Sequence, residues 1–160
     1  MKTIKADNAL LKPVNCLTVD ELKVGMSAEK EFKIDYADVV KFSEISGDWN
    51  PAHHDEEYAS GSIFGQRVAH GMFSVAQFSG LLGMELPGLG TLWRKQSVEF
   101  HKAAFLGRNY RAVVTVSHID KDNNEVTLST ECFDMEGELV ISGTGVVKPI
   151  PAKLKAKQQA

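Results

Sequence analysis

The sequence predicts an α+β fold, with one antiparallel sheet wrapped around a single buried helix. Three observations carry the prediction. GMFSVAQFSGLLGM, from Gly71 to Met84, is apolar on nearly every side, the pattern of a helix without a solvent face. Four segments after it, TLWRKQSVEF, YRAVVTVSHI, EVTLSTECF and LVISGTGVV, are rich in β-branched and aromatic residues. Turn residues divide the later ones: Asp122 to Asn124 in one gap, Met135 to Gly137 in another. A curved sheet covers one side of such a helix, and short helices or a partner subunit cover the rest.

The elements follow in order. Residues 1–22 have mixed polarity and read as an N-terminal extension, residues 23–150 as the domain, and residues 151–160 as a C-terminal tail. GMSAEKEFKI alternates, with Met26, Ala28, Phe32 and Ile34 in phase, and predicts a strand. Asp35 caps a short helix whose first turn Asp38 reinforces, and Gly47 ends it. Val39, Phe42 and Ile45 are its expected apolar stripe. A second short helix is expected over residues 55–60, then irregular chain through GSIFGQRV. The buried helix follows and is broken by Pro87, Gly88 and Gly90. Its small residues Ser74, Ala76, Ser79 and Gly80 would let another backbone come close.

A chain of 160 residues is enough for one domain with a real core. Its 18 basic and 21 acidic residues give a net charge of −3, which supports neither a nucleic-acid-binding nor a polybasic membrane surface. Cys16 and Cys132 stand in no metal or redox spacing and read as reduced thiols of a cytoplasmic protein. No apolar run is long enough to span a bilayer, and MKTIKADNALLKPV has no apolar signal core.

SGDWNPAHHDEEYA, from Ser46 to Ala59, concentrates the reactive residue types. Pro51 predicts a tight turn between Asp48 and His53. Such a turn lets an acid and an imidazole, which titrates near neutrality, share one water and move its protons. The competing reading is that Asp48 and Asn50 only satisfy loop amides. Asn50 braces the turn on either reading, since an amide is no proton carrier. In extended chain His54 would face away from His53, and Asp55 would cap the next helix with Glu56 and Glu57 in its first turn.

RVAHGMF is the second feature. Gly71 opens the buried helix, so its N–H can point at an acyl oxygen with no side chain in the way. The plainer reading is a glycine kept for close packing, and His70 reads as a buried hydrogen-bonding residue. The five histidines form no recognised zinc spacing. No dinucleotide or phosphate-binding glycine motif and no G-x-S-x-G elbow is present. Trp93, Arg94 and Lys95 make a small basic-aromatic spot, suited to a surface, an interface or substrate phosphates.

FSEISGDWNPAHHD, FGQRVAHGMFSVAQFSGLL, LPGLG and QSVEFHKAAFLG together resemble the MaoC-like family of (R)-specific enoyl-CoA hydratases, over about Met26 to Pro149. The resemblance implies a hot-dog fold and a homodimer or higher homo-oligomer, with sites near the subunit interface. It implies reversible hydration of trans-2-enoyl-CoA to (R)-3-hydroxyacyl-CoA, in fatty acid metabolism, without metal or other cofactor. The substrate is then an acyl-CoA thioester, or the same acyl arm on acyl-carrier protein. By motif position Asp48 and His53 match the catalytic pair, and Gly71 the amide that polarises the thioester carbonyl. Asn50 matches a supporting residue, and Ser79 a serine that braces the catalytic acid. Trp49 stands where relatives often have phenylalanine, and HKAAFLGRNY lacks their usual proline and acid. An acyl-CoA thioesterase and a non-catalytic hot-dog subunit that binds acyl thioesters are the alternatives.

Overall fold

The computed structural model describes residues 15–159. Ten elements follow in order: β1 (Ser27–Lys33), α1 (Tyr36–Ser46), α2 (Pro51–His54), α3 (Glu56–Ser60), α4 (Gly71–Met84), β2 (Leu92–Phe100), β3 (Asn109–Asp120), β4 (Glu125–Asp134), β5 (Leu139–Lys148) and α5 (Ala152–Gln159). The five strands form one antiparallel sheet in the order β1-β3-β4-β5-β2. Helix α4 packs against β3 and also against β1 and β2, which lie at opposite edges. A helix can touch both edges only if the sheet curls around it, so this is the expected hot-dog architecture.

Alternation explains the strands. Tyr110, Ala112, Val114 and Val116 of β3, and Val126, Leu128, Thr130 and Cys132 of β4, are buried while their neighbours are more exposed. The apolar ones meet Val75, Phe78, Leu81 and Leu82 of α4 in one core. Phe78 and Leu81 are fully buried. Val19 and Leu22, from the stretch expected as an extension, also enter that core, and the Leu17 N–H donates to Pro87 O (3.0 Å). The rest of the extension, residues 1–14, lies outside the described residues.

Three local expectations need revision. Ile45 is 85 % exposed, and the buried positions of α1 are Val39 and Ser43. Residues 39 and 43 share a face at i, i+4, whereas by residue 45 the helix has turned away. The tight turn expected at Pro51 is present, but His53 and His54 are not extended chain, the premise on which His54 was expected to face away. Asn50 accepts from the Ala52 N–H (3.0 Å), Pro51 stands in the first turn, and Pro51–His54 closes one helical turn. Helix α4 does not lose its solvent face either: Met72, Ala76 and Ser79 are exposed, because the sheet covers only the opposite side.

The capping expectations fare better. The Asp55 carboxylate accepts from the Tyr58 N–H (3.0 Å) at the start of α3, and Gly47 ends α1 in the left-handed region at φ 77. No helix among the described residues is long and apolar enough to cross a membrane. Because Phe78 fills the centre of this core, Phe78→Ala is expected to lower unfolding stability by about 4 kcal/mol, measured by urea denaturation.

Candidate functional site

The site is assembled where α2 meets the chain leading into α4. The Val68 N–H donates to Ala52 O (3.2 Å), tying the two segments side by side. His53 then reaches across, its Nδ1–H donating to Val68 O (2.8 Å). A carbonyl can only accept, so the proton sits on Nδ1 and the neutral ring leaves Nε2 with a free lone pair. That Nε2 lies 3.7 Å from Asp48 Oδ2.

Asp48 is held from its other side. Its Oδ1 accepts from the Asn50 N–H (3.1 Å), and its own N–H donates to Ser46 Oγ (3.2 Å). Oδ2 is left facing His53 and, at 3.9 Å, His70 Nε2. Neither distance is a hydrogen bond. The acid and the imidazole converge on a shared point without consuming each other's lone pairs. The Asp48 side chain is 51 % exposed and that of His53 13 %, so the pair spans the boundary between solvent and interior.

A cavity of about 570 Å³ opens on His53. Asn50, Gly71, Ser74, Phe100, Val140 and Ile141 are among its lining residues. Gly71 begins α4, and its N–H has no acceptor among the described residues. A Cβ added at Gly71 would lie 2.6 Å from Phe100 Cε1, so the ring of Phe100 closes over the bare backbone. Gly71 leaves that space to the ring, which a side chain here would have to push aside. Its amide is a free donor at the positive end of a helix, beside an apolar chamber.

The expectation that His70 is a buried hydrogen-bonding residue holds, and its contact with His53 is the part that the sequence did not show. His70 is 3 % exposed and caps α4. Its ring stacks on that of His53, with centroids 3.8 Å apart and planes 34° apart, and its Nε2–H donates to the Asp48 main-chain oxygen (3.0 Å). His54 does not simply point away: its Nε2 lies 2.8 Å from Ser43 Oγ, and its ring packs on Trp49. Burial, then the nearby His53, His70 and Arg67, hold its imidazole below the ordinary histidine value, against the pull of Asp48.

Asp48, His53 and His70 each offer an atom within 4.8 Å of the others, a spacing that could hold a metal ion. The donor set fits one poorly. His70 Nε2, the ring atom that faces Asp48, already carries a proton given to a carbonyl, so two free donors remain there where three are needed. Ser79 is not brought to the site. It is exposed on α4, roughly 12 Å along the axis from Gly71. Trp93, Arg94 and Lys95 line a separate, smaller cavity, with Arg94 paired to Glu125 (2.7 Å).

The family model described as MaoC like domain matches residues 19–133. The chain is 36 % identical over 132 residues to the (R)-specific enoyl-CoA hydratase of Aeromonas caviae, covering 82 % of this chain and 98 % of that one. It is 32 % identical over 147 residues to the 3-hydroxybutyryl-CoA dehydratase of Methylorubrum extorquens, covering 92 % of each. Among solved structures, R-hydratase PhaJ1 from Pseudomonas aeruginosa superposes with a TM-score of 0.80 at 33 % identity, covering 85 % of this chain and 87 % of that one.

Ser74, a turn beyond Gly71 on α4, is fully buried, and its Oγ has no hydrogen-bond partner. Serine in a helix commonly bonds back to a carbonyl of the preceding turn, and this one does not. Ser74→Ala is therefore expected to raise unfolding stability by about 1 kcal/mol, measured by urea denaturation of both proteins.

Proposed function

This chain belongs to the MaoC-like domain family, and we propose that it catalyses the reversible hydration of short- or medium-chain trans-2-enoyl-CoA to (R)-3-hydroxyacyl-CoA. One observation carries the assignment of the chemistry to residues. Asp48 Oδ2 lies 3.7 Å from His53 Nε2, and His53 lines a cavity that Gly71, with its unpaired amide, also lines.

Conjugation makes C3 of the enoyl thioester electrophilic once the carbonyl oxygen is polarised. The Gly71 N–H supplies that polarisation and stabilises the enolate-like charge as it develops. Asp48 Oδ2 and His53 Nε2 hold a water beside C3. Its oxygen bonds to C3 while one proton passes to the pair, and one proton returns from the pair to C2 on the same face. Water has then added across the double bond and the pair ends in its starting protonation state. Asn50 supports the reaction by fixing the turn: its side chain caps α2 and its N–H orients Asp48.

The apolar lining from Val140, Ile141 and Phe100 suits an acyl chain. Coenzyme A and acyl-carrier protein present the same thioester arm, and both are substrates to test. A second copy of this chain is the proposed cover for the exposed Met72 of α4 and Leu92 and Phe100 of the edge strand β2. Light scattering on the purified protein reads that association.

Hydration of crotonyl-CoA is followed by loss of conjugated absorbance, with chiral analysis of the product. Asp48→Asn and His53→Ala are each expected to lower kcat by about a hundredfold or more while leaving the thermal transition in place. Near-wild-type rates in both variants would remove the assignment, and release of free thiol would make the protein a thioesterase. Exhaustive chelation is expected to leave the rate unchanged. A loss restored by added divalent metal would show that the three-residue cluster holds an ion.

A further inference from the structure

His54 and Ser43 take no part in the chemistry above, yet they are joined to it through His70. Ser43, fully buried on α1, places its Oγ 2.8 Å from His54 Nε2 and 3.3 Å from His70 Nε2. Helices α1 and α2 and the N-cap residue of α4 thus meet at one hydroxyl.

The proton directions follow from the ends of the chain. Asp48 O can only accept, so His70 carries its proton on Nε2. Ser43 Oγ then receives at most the second branch of that N–H and keeps its own proton to donate. The acceptor for that proton is His54 Nε2, which puts the His54 proton on Nδ1, 3.4 Å from Tyr36 Oη. His54 can accept only while neutral, and burial together with His53, His70 and Arg67 favours that form. Its ring is fixed by Trp49 at 5.0 Å and Tyr36 at 5.9 Å between centroids.

We propose that His54 is a positioning residue of the hydration site: by accepting the Ser43 proton it keeps that proton off His70, and so preserves the His70 bond to the Asp48 main chain. Without an acceptor at His54, the remaining ring nitrogen within reach of the Ser43 hydroxyl is His70 Nε2, at 3.3 Å. The His70 proton would move to Nδ1, which is buried with no partner at present, and the bond to Asp48 O would be lost. The acid then loses the bond at its main-chain oxygen, although its N–H bond to Ser46 and the His53–His70 stack persist. This inference rests on the hydratase reading for its kinetic consequence only; the tautomer consequence is independent of it.

The test compares wild type with His54→Leu, which keeps bulk but cannot accept, and His54→Gln, whose amide oxygen can. Long-range proton–nitrogen NMR reports the His70 tautomer, and crotonyl-CoA hydration reports kcat and KM. For His54→Leu the expected result is loss of the His70 Nε2–H tautomer and a fall in kcat of about tenfold to a hundredfold, with KM changed less than about twofold on the same grounds. His54→Gln is expected to restore the tautomer and bring kcat within about threefold of wild type, since it restores the acceptor. An unchanged His70 tautomer in His54→Leu, unchanged kcat, or equal losses in the two variants would overturn the proposal. If His54→Leu does not fold, Ser43→Ala asks the same question, with retention of both the His70 Nε2–H signal and kcat expected, because the competing proton is gone. A lost tautomer there would overturn it. If wild type hydrates no enoyl thioester, the functional reading fails and the His70 tautomer alone decides the inference.

Discussion

The site depends on the pairing of α2 with the chain at Val68. One residue anchors both ends of it: the Val68 N–H to Ala52 O, and Val68 O to the His53 ring. The first bond sets the register of α2 against the entrance to α4. The second turns His53 so that Nε2 faces Asp48, and fixes which nitrogen carries the proton. Val68 in turn bridges to Phe105, and the Ala69 N–H donates to Ala104 O (2.7 Å), which ties the segment to the chain between β2 and β3. The reactive groups therefore sit on short elements held by main-chain bonds to a rigid body, the arrangement that preserves geometry during turnover.

A buried histidine pair is an expensive way to build this. His70 gives up solvent on nearly all of its surface and leaves Nδ1 without a partner. An unsatisfied buried acceptor costs on the order of 1–3 kcal/mol. What the chain gains is a flat surface against which His53 stacks and a donor that holds the Asp48 main chain from beneath. The cost falls at the site and the benefit lies in geometry, the usual relation between local strain and function.

Much of this could be read from the sequence, and the reasons for success and failure are physical. The bounds of α4 were visible because its apolar run is long and lies between a glycine and a proline–glycine break. The strands were visible because turn residues separate β-branched runs. The convergence of Asp48 and His53 was accessible because both lie within one proline-defined turn, so short-range geometry places them. His70, Ser43 and His54 come from the N-cap of α4, from α1 and from α2, and no spacing rule links residues brought together by tertiary packing. Ile45 was misread because a stripe taken only at i, i+3 drifts around the helix, while the buried pair Val39 and Ser43 follows i, i+4. Ser79 and Ser74 are both small polar residues on α4, but five positions turn the helix by about 140°, which puts Ser74 on the buried lining face and Ser79 on the solvent face. The cavity, formed largely across sheet and helix, had no sequence signal at all.

The central claim is that a single pair of side chains delivers both parts of one water to the same face of a polarised double bond. Running the reaction in deuterium oxide and resolving the product by NMR tests it most directly. The account predicts one deuterium at C2, on the same face as the new hydroxyl, in a product of R configuration at C3. Deuterium on the opposite face, a mixture of both, or an S product would contradict it.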